Sequence, residues 1–388
     1  MPATNKADKK RGKVERFTAK KIGKFIKYAV FATNIIAILF LLLSILAWSV
    51  VPSKITIIAY LGLVFPVTLF INVCYLLLWL VTWRWKYALV QLIVIACCWM
   101  PISTCFPVHF RSKDIPENSI KILTYNVRGF NWLTGKDARE NPVFDYVANC
   151  KADIVCFQEF AVSYDNIKRR SLISEKELDG IMKDYPFKSI ISLGPRKGSY
   201  IYGIACYSKF PITESIKVPI ESVYNGSVIH TLEIQNRKVS LVINHLESNS
   251  LTAKDKQLYK DFLKTRDRES FDAMAHTLQE KLGTAYSVRE GQVNVIREFI
   301  DKQETDATII CGDFNDTPIS YTYHTLKKDM VDSYANTGFG QGITYHENYF
   351  WVRIDYIMHS KAFQSYNCTI DKRKYSDHYP VWTYLAFK

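Results

Sequence analysis

Between residues 28 and 106 the chain carries three apolar runs, 28–51, 55–81 and 87–106, and none of them contains a charged residue. A helix needs roughly 20 apolar residues to cross the hydrocarbon core of a bilayer, and each run meets that length. The alternative is a set of core helices in a soluble protein. Three such runs in succession, with Trp, Tyr and basic residues at their ends, fit membrane helices better. The sequence therefore predicts a three-helix transmembrane anchor over 28–110. The first run is too long for the apolar segment of a signal peptide, and no small-residue cleavage site follows it, so a retained anchor is expected.

Charge distribution orients this anchor. The net charge is +13, and residues 1–27 hold ten Lys or Arg against two Asp or Glu. Arg84 and Lys86 lie in the link between the second and third runs. Positive residues collect on the cytoplasmic side of a membrane, which places the tail and this link there. Three crossings then put the rest of the chain, after Phe106, on the extracytoplasmic side. Arg111 and Lys113 oppose that orientation, but the tail outweighs them. The stretch 117–388 carries a net charge of only +1. An extended grip on nucleic-acid phosphates calls for a clear basic excess, so such binding is disfavoured, although a local basic patch is compatible with this composition.

Nine cysteines are present, without a C-x-x-C pair or a zinc framework. Most sit in or beside apolar runs, where Cys acts as a small hydrophobe, and a disulfide scaffold is not expected. A polar linker with Pro116 spans 111–118. Beyond it, short runs rich in Val, Ile, Tyr and Phe predict strands at 120–127, 153–159, 201–207, 239–245, 308–312, 354–359 and 381–387. Helices are predicted at 142–150, 253–282 and 290–303. Strands alternating with helices indicate a layered α/β domain over 119–388.

Several of these strands end in side chains able to bind metal or phosphate. The ends read Tyr125-Asn126-Val127, Gln158-Glu159, Asn244-His245 and Gly312-Asp313-Phe314-Asn315. Ile354-Asp355-Tyr356-Ile357 and Ser376-Asp377-His378-Tyr379-Pro380-Val381 follow. Singly, most have a bland explanation. Asn126 suits a turn, Glu159 a solvated strand end and His245 a hydrogen-bonded structural histidine. Asp355 is harder to dismiss, because a carboxylate inside an apolar strand must be paired or coordinated. Asp313 and Asn315 alternate across a strand end and can face one cleft. Polar groups delivered from many strand ends suit an active site at the rim of a sheet.

The order and combination of these blocks resemble the endonuclease/exonuclease/phosphatase superfamily, over about residues 119–388. That resemblance implies a four-layer α/β sandwich, in which two packed mixed β-sheets are flanked by helices. It implies a phosphoesterase acting on a phosphodiester, either nucleic acid or a phospholipid head group. Glu159, Asn126 and Asp377 would hold a divalent metal, and an all-oxygen site of this kind favours Mg²⁺ or Mn²⁺. Asp313, helped by Asn315, would orient or deprotonate the attacking water. His378, oriented by Asp355, would stabilise the phosphate, and His245 would contact it or assist the leaving group. The resemblance leaves the active-site tyrosine of some nucleases without a fixed counterpart; Tyr202 and Tyr207 are candidates. The mixed-charge stretch 253–289 reads as an insertion, either a solvated helix face or a substrate- or membrane-facing flap. A catalytically silent, membrane-tethered scaffold is the alternative to the enzyme.

Overall fold

The computed structural model describes residues 4–135, 137–164, 171–194, 200–249, 253–347 and 351–388. Residues 1–3 of the basic tail lie outside them. Helix α1 (Thr4–Ile45) runs from the tail through the first apolar run. The other helices of the expected anchor region are α2 (Thr56–Leu63), α3 (Phe65–Val81), α4 (Trp85–Cys97) and α5 (Trp99–Cys105). Lys21–Trp48 is by itself long and apolar enough to cross a membrane. The second and third runs differ from the straight helices expected. Each is a pair bent by 63°, α2 against α3 and α4 against α5. Proline accounts for both bends. Pro66 and Pro101 have no N–H to donate to the carbonyls of Gly62 and Cys97, four residues back, and the helix breaks just ahead of each ring.

Polar side chains lock the anchor from within. Asn34 on α1 donates to Gln91 Oε1 on α4 at 2.8 Å and accepts from Trp79 Nε1 on α3 at 2.9 Å. Gln91 Nε2 donates to Asn72 Oδ1 at 2.6 Å, and Asn72 Nδ2 donates to the carbonyls of Ala37 and Thr68. Asn34, Asn72 and Gln91 are all buried, while Phe70, Leu77, Leu89 and Ile93 face outward. Apolar surroundings reward such a network only if its members are mutually satisfied.

Among the described residues, the remaining chain forms twelve strands. They are β1 (Ile120–Asn126), β2 (Ile154–Ser163), β3 (Phe187–Ser192), β4 (Tyr200–Ser208), β5 (Ile212–Lys217) and β6 (Gly226–Ile234). Then come β7 (Arg237–His245), β8 (Ala307–Asp313), β9 (Val331–Asp332), β10 (Asp355–His359), β11 (Phe363–Ile370) and β12 (Val381–Phe387). Two six-stranded sheets result, ordered β11-β12-β1-β2-β4-β3 and β5-β6-β7-β8-β10-β9. Both are mixed. β1 runs parallel to β2 and β7 parallel to β8, and the other pairs are antiparallel.

Period-two alternation builds the layers. Ile122, Cys156, Leu241 and Cys311 point between the sheets. Leu123, Val155 and Phe157 face the other side of the first sheet, where α6 (Val143–Asn149) and α7 (Glu175–Ile181) supply Val147 and Leu178. Val242 and Ile310 pack outside the second sheet against Val293 and Ile296 of α9 (Arg268–Asp301) and Tyr323 and Leu326 of α10 (Tyr321–Lys327). Two packed mixed sheets flanked by helices match the expected α/β class. All nine cysteines are free.

One expected boundary is wrong. The stretch 253–303 divides at Arg266 and Asp267, giving α8 (Ala253–Thr265) and an unbroken α9, and no break falls between 282 and 290. Leu278, Leu282, Tyr286, Val293, Ile296 and Ile300 form one apolar stripe, which carries the helix through Gly283 and Gly291. A Cβ at Gly283 would lie 2.7 Å from the Tyr60 hydroxyl, so close packing against α2 explains the glycine there.

The anchor grips the domain. Trp48 Nε1 donates to the Pro318 carbonyl at 2.7 Å, and its ring stacks on His324. Gly62 packs so closely that a Cβ would lie 2.3 Å from the Ile319 carbonyl oxygen. Tyr60 donates to the Gln279 carbonyl. Arg353, buried and paired with Asp332 at 2.9 Å, donates from its other terminal nitrogen to the Thr104 carbonyl in α5.

Replacing Asn34 by Leu leaves Gln91 Oε1 and Trp79 Nε1 without their partner. Unfolding of the full chain in detergent, followed by heat or denaturant, is expected to show a loss of about 1–2 kcal/mol. No change in midpoint would mean that the network contributes nothing to anchor stability.

Candidate active site

Strand direction brings the polar residues to one rim. The parallel pairs β1–β2 and β7–β8 both end there, delivering Asn126, Glu159, His245 and Asp313. β10 runs antiparallel to β8 and therefore begins at the same rim, with Asp355 paired to Asp313. β12 runs antiparallel to β1, so Asp377 and His378, just ahead of it, arrive there too.

Local backbone geometry aims these groups. Glu159 has φ 49°, a left-handed conformation unusual for a non-glycine residue, at a break in the β2–β4 register between Phe157 and Phe160. Asn315 has φ 52°, which asparagine tolerates. Gly312 has φ 118°, and a Cβ there would lie 2.0 Å from the Asn244 carbonyl oxygen, so only glycine fits beside β7.

Asn126 Nδ2 donates to Glu159 Oε1 at 3.1 Å and to Asp313 Oδ2 at 3.0 Å, which joins the two sheets. The Asn315 N–H donates to Asp313 Oδ1 at 2.9 Å, and its side-chain amide donates to the Leu246 carbonyl. His378 Nδ1 lies 2.8 Å from Asp355 Oδ2, and its Nε2 lies 3.7 Å from Asp313 Oδ2. His245 Nε2 is 3.6 Å from Glu159 Oε1. Thus all eight residues singled out in the sequence meet at one cleft.

Electrostatics set their protonation. Burial alone would lower the His378 pKa, but Asp355 and Asp313 outweigh it and hold the imidazolium well above its usual range. That stabilisation is fully present below the ordinary histidine value and is lost as pH rises through the raised one. Burial pushes Asp313 up to about 6, against the pull of His378. Burial and then the charge of Asp377 raise Glu159. Burial depresses His245, so it is neutral.

The donors fit a hard divalent cation. Glu159 and Asp377 repel one another across the cleft, and Asp355 Oδ1 is buried without a hydrogen-bond partner among the described residues. Carboxylate and amide oxygens with excess negative charge suit Mg²⁺ or Mn²⁺. Asp313, Asp355 and His378 also bring ligand-type atoms within 4.8 Å of one another. Because Nδ1 of that histidine is already engaged by Asp355, this group reads better as a hydrogen-bonded His–Asp pair than as a cation cage.

Other neighbours were not singled out in the sequence. Arg128 lies 3.5 Å from Asp377 and 3.0 Å from Glu347. The Tyr345 ring packs edge-on to His378. Thr344 Oγ1 accepts from the backbone N–H groups of Ile354 and Asp355. Only the placement of Arg128 directly after the Tyr-Asn-Val block offered a signal. Of the two tyrosine candidates, Tyr202 stands near the site, its phenol held up by burial and then by the charges of Glu159, Asp313 and Asp377. Tyr207 is buried in the helix-covered core of the first sheet.

The sequence pattern of the Endonuclease/Exonuclease/phosphatase family matches residues 123–378, and that of a domain of unknown function matches residues 25–105. No curated protein is a match to the chain. Among solved structures, the human Nocturnin catalytic domain with bound sulfate is similar at TM-score 0.50 and 15% identity, covering 72% of this chain and 97% of that one. Humanized D. rerio TDP2 gives 0.48 and 18%, covering 70% and 100%. A family protein from Bacteroides thetaiotaomicron gives 0.47 and 16%, covering 70% and 98%. At such identities a structural likeness speaks to the fold alone.

Exchanging Asp355 for Asn removes the charge that holds the His378 proton. The His378 titration, followed by NMR, is expected to move down, toward or below the ordinary histidine value. An unchanged titration would mean that Asp355 does not set the state of this imidazole.

Proposed function

Because the chain belongs to the Endonuclease/Exonuclease/phosphatase family, whose members are hydrolases acting on phosphoesters, we propose that it is a membrane-anchored, divalent-metal-dependent phosphodiesterase. The observation that carries this reading is the convergence of Asn126, Glu159, His245, Asp313, Asp355, Asp377 and His378 at the shared rim of both sheets.

In this reading Glu159, Asn126 and Asp377 hold a Mg²⁺ or Mn²⁺ ion. An ion held there would supply Lewis-acid polarisation of the phosphoryl oxygen and would screen the negative charge that repels a nucleophile. Asp313 accepts the proton of the attacking water, whose oxygen forms the new bond to phosphorus. The Asn315 N–H and the Asn126 amide keep the Asp313 carboxylate aimed. His378 presents its Nε2 proton to the phosphate as negative charge develops, with Asp355 fixing the ring. As the bond to the leaving group breaks, the departing oxygen must gain a proton, and His245 and His378 stand nearby. Neutral His245 is suited to contact the ester without adding charge. The substrate is a phosphodiester, of nucleic acid or of a phospholipid head group.

Orientation follows from three crossings, at 28–51, 55–81 and 87–106. The domain meets the anchor at Trp48, Gly62 and Thr104, while the α3–α4 link and the basic tail lie at the opposite helix ends. That arrangement supports a cytoplasmic tail and an extracytoplasmic domain.

The full chain is expected to hydrolyse at least one of plasmid DNA, RNA and phospholipid vesicles with Mg²⁺, and to lose that activity with EDTA. Asp313→Ala should lower it by about 10²–10⁴-fold. Activity should also decline as pH falls through about 6, because Asp313 gains a proton there and can no longer accept one. Equal activity of wild type and Asp313→Ala on every substrate would sink the reading. So would Mg²⁺ binding that is absent, or indifferent to Glu159, in calorimetry; that outcome would favour a silent scaffold. Separately, a reporter fused after Lys388 should be active only on the extracytoplasmic side, and cytoplasmic activity would overturn the orientation.

A further inference from the structure

The active-site cleft has a second wall that phosphoester chemistry does not require. It is a cavity of about 280 Å³ with Glu159, Asp313, Asp377 and His378 at one end. Its lining also includes the apolar side chains of Leu63, Leu278, Leu282, Tyr286, Val352 and Ile354, beside polar ones such as Ser248 and Thr317. No Lys or Arg lines it among the described residues. Much of this wall comes from the anchor side of the molecule. Leu63 is the last residue of α2, and α2 packs on the N-terminal half of α9 through Ala59, Tyr60, Leu278, Leu282 and Tyr286. The Tyr60 and Tyr286 rings lie 5.9 Å apart, and Gly283 lets the two helices approach.

The wall continues toward lipid. Directly after Leu63 the chain bends by 63° at Val64 into α3, and Val64 with Val67 and Phe70 of α3 is exposed apolar surface. Apolar surface thus lies on both sides of the bend, on the exposed face of α3 and, through Leu63, in the lining of the cleft. A nucleic acid could make little use of such a wall, because its backbone is recognised by cations and its bases by stacking platforms. An acyl chain fits it on both counts: it gains by leaving water, and it arrives already embedded beside α3.

We propose that the cleft takes a phospholipid, with its phosphodiester at Asp313 and His378 and the first methylenes of its acyl chains against Leu63, Leu278, Leu282 and Tyr286. This rests on the phosphoesterase reading and names its substrate class. In it, α2 is part of the substrate site rather than a tether. The long α9 stripe has two uses, since one half packs on the sheet and the other forms the wall. The cost of carrying Leu63 and Leu278 beside a charged cleft is offset by tail burial when substrate is bound.

The test uses the full chain in detergent, with Mg²⁺ and short-chain diacyl phosphatidylglycerol, phosphatidylethanolamine and phosphatidylcholine, all below micelle formation. Within the preferred head group, kcat/KM should rise about twofold to fourfold per added methylene, the value of removing such a group from water. Leu282→Ser and the milder Leu278→Ser should flatten that slope, and the second variant covers the possibility that the first fails to fold. A soluble chromogenic phosphodiester, with Asp313→Ala as its control, reports on the phosphoesterase reading independently. If that substrate is cleaved in an Asp313-dependent way but wild type shows no chain-length slope, the lipid proposal is overturned and the phosphoesterase reading stands. Preferential cleavage of DNA or RNA over every lipid overturns the proposal in the same way. Absence of Asp313-dependent cleavage of any substrate ends both.

Discussion

The amide of Asn126 donates to Glu159 in one sheet and to Asp313 in the other, and this bridge ties the two sheet rims together at the site. The bridge is possible because the central pairs of both sheets are parallel and their strands end on the same side. The antiparallel neighbours β10 and β12 then have to begin where the central strands finish. Six chain segments, far apart in sequence, thus supply one cleft. Isolated hairpins could not do this, since adjacent antiparallel strands alternate their ends.

Concentrating Glu159, Asp313, Asp355 and Asp377 in a half-dry cleft is electrostatically unfavourable. The fold offsets this with the His378 imidazolium, the Arg128 guanidinium and hydrogen bonds from Asn126 and Asn315. Glu159 keeps a left-handed backbone at a bulge, and Gly312 is pressed onto β7. Strain of that kind persists only where the surrounding structure over-determines it, here the cores on both faces of each sheet. Burial raises Asp313 to about 6, the sort of tuning that a group accepting a proton near neutral pH requires.

The anchor and the domain are coupled rather than strung together. Arg353 reaches Asp332 in the domain and the Thr104 carbonyl at the end of α5, while Gly62 lies against the backbone at Ile319. The buried ion pair lies within the domain and fixes the guanidinium, whose second terminal nitrogen then ties the end of α5 to the domain through the Thr104 carbonyl. The Asn34, Gln91 and Asn72 network does the same work inside the anchor.

Much was legible in the linear chain. Apolar runs with no charge are local signals, and helices α1 to α5 fall within or overlap them. Strands rich in Val, Ile, Leu and Tyr, such as β1, β7 and β12, were found within a few residues. β3, β5, β6, β9 and β11 were not among the expected strands; of these the edge strand β5, with mostly exposed side chains, and the two-residue β9 carry little apolar pattern. The polar blocks were legible as residue types in an order, because Asp, Asn, Glu and His at strand ends are costly without a partner. What the sequence by itself determined was therefore some of the parts: the apolar runs, most of the central strands and the eight polar side chains. The tertiary structure alone decided that Asn126 bridges two sheets, that α9 runs unbroken, and that Leu63 of the anchor stands beside Asp313. The physical reason is that these depend on strand direction and on helix contacts between residues more than two hundred positions apart, which no local periodicity encodes.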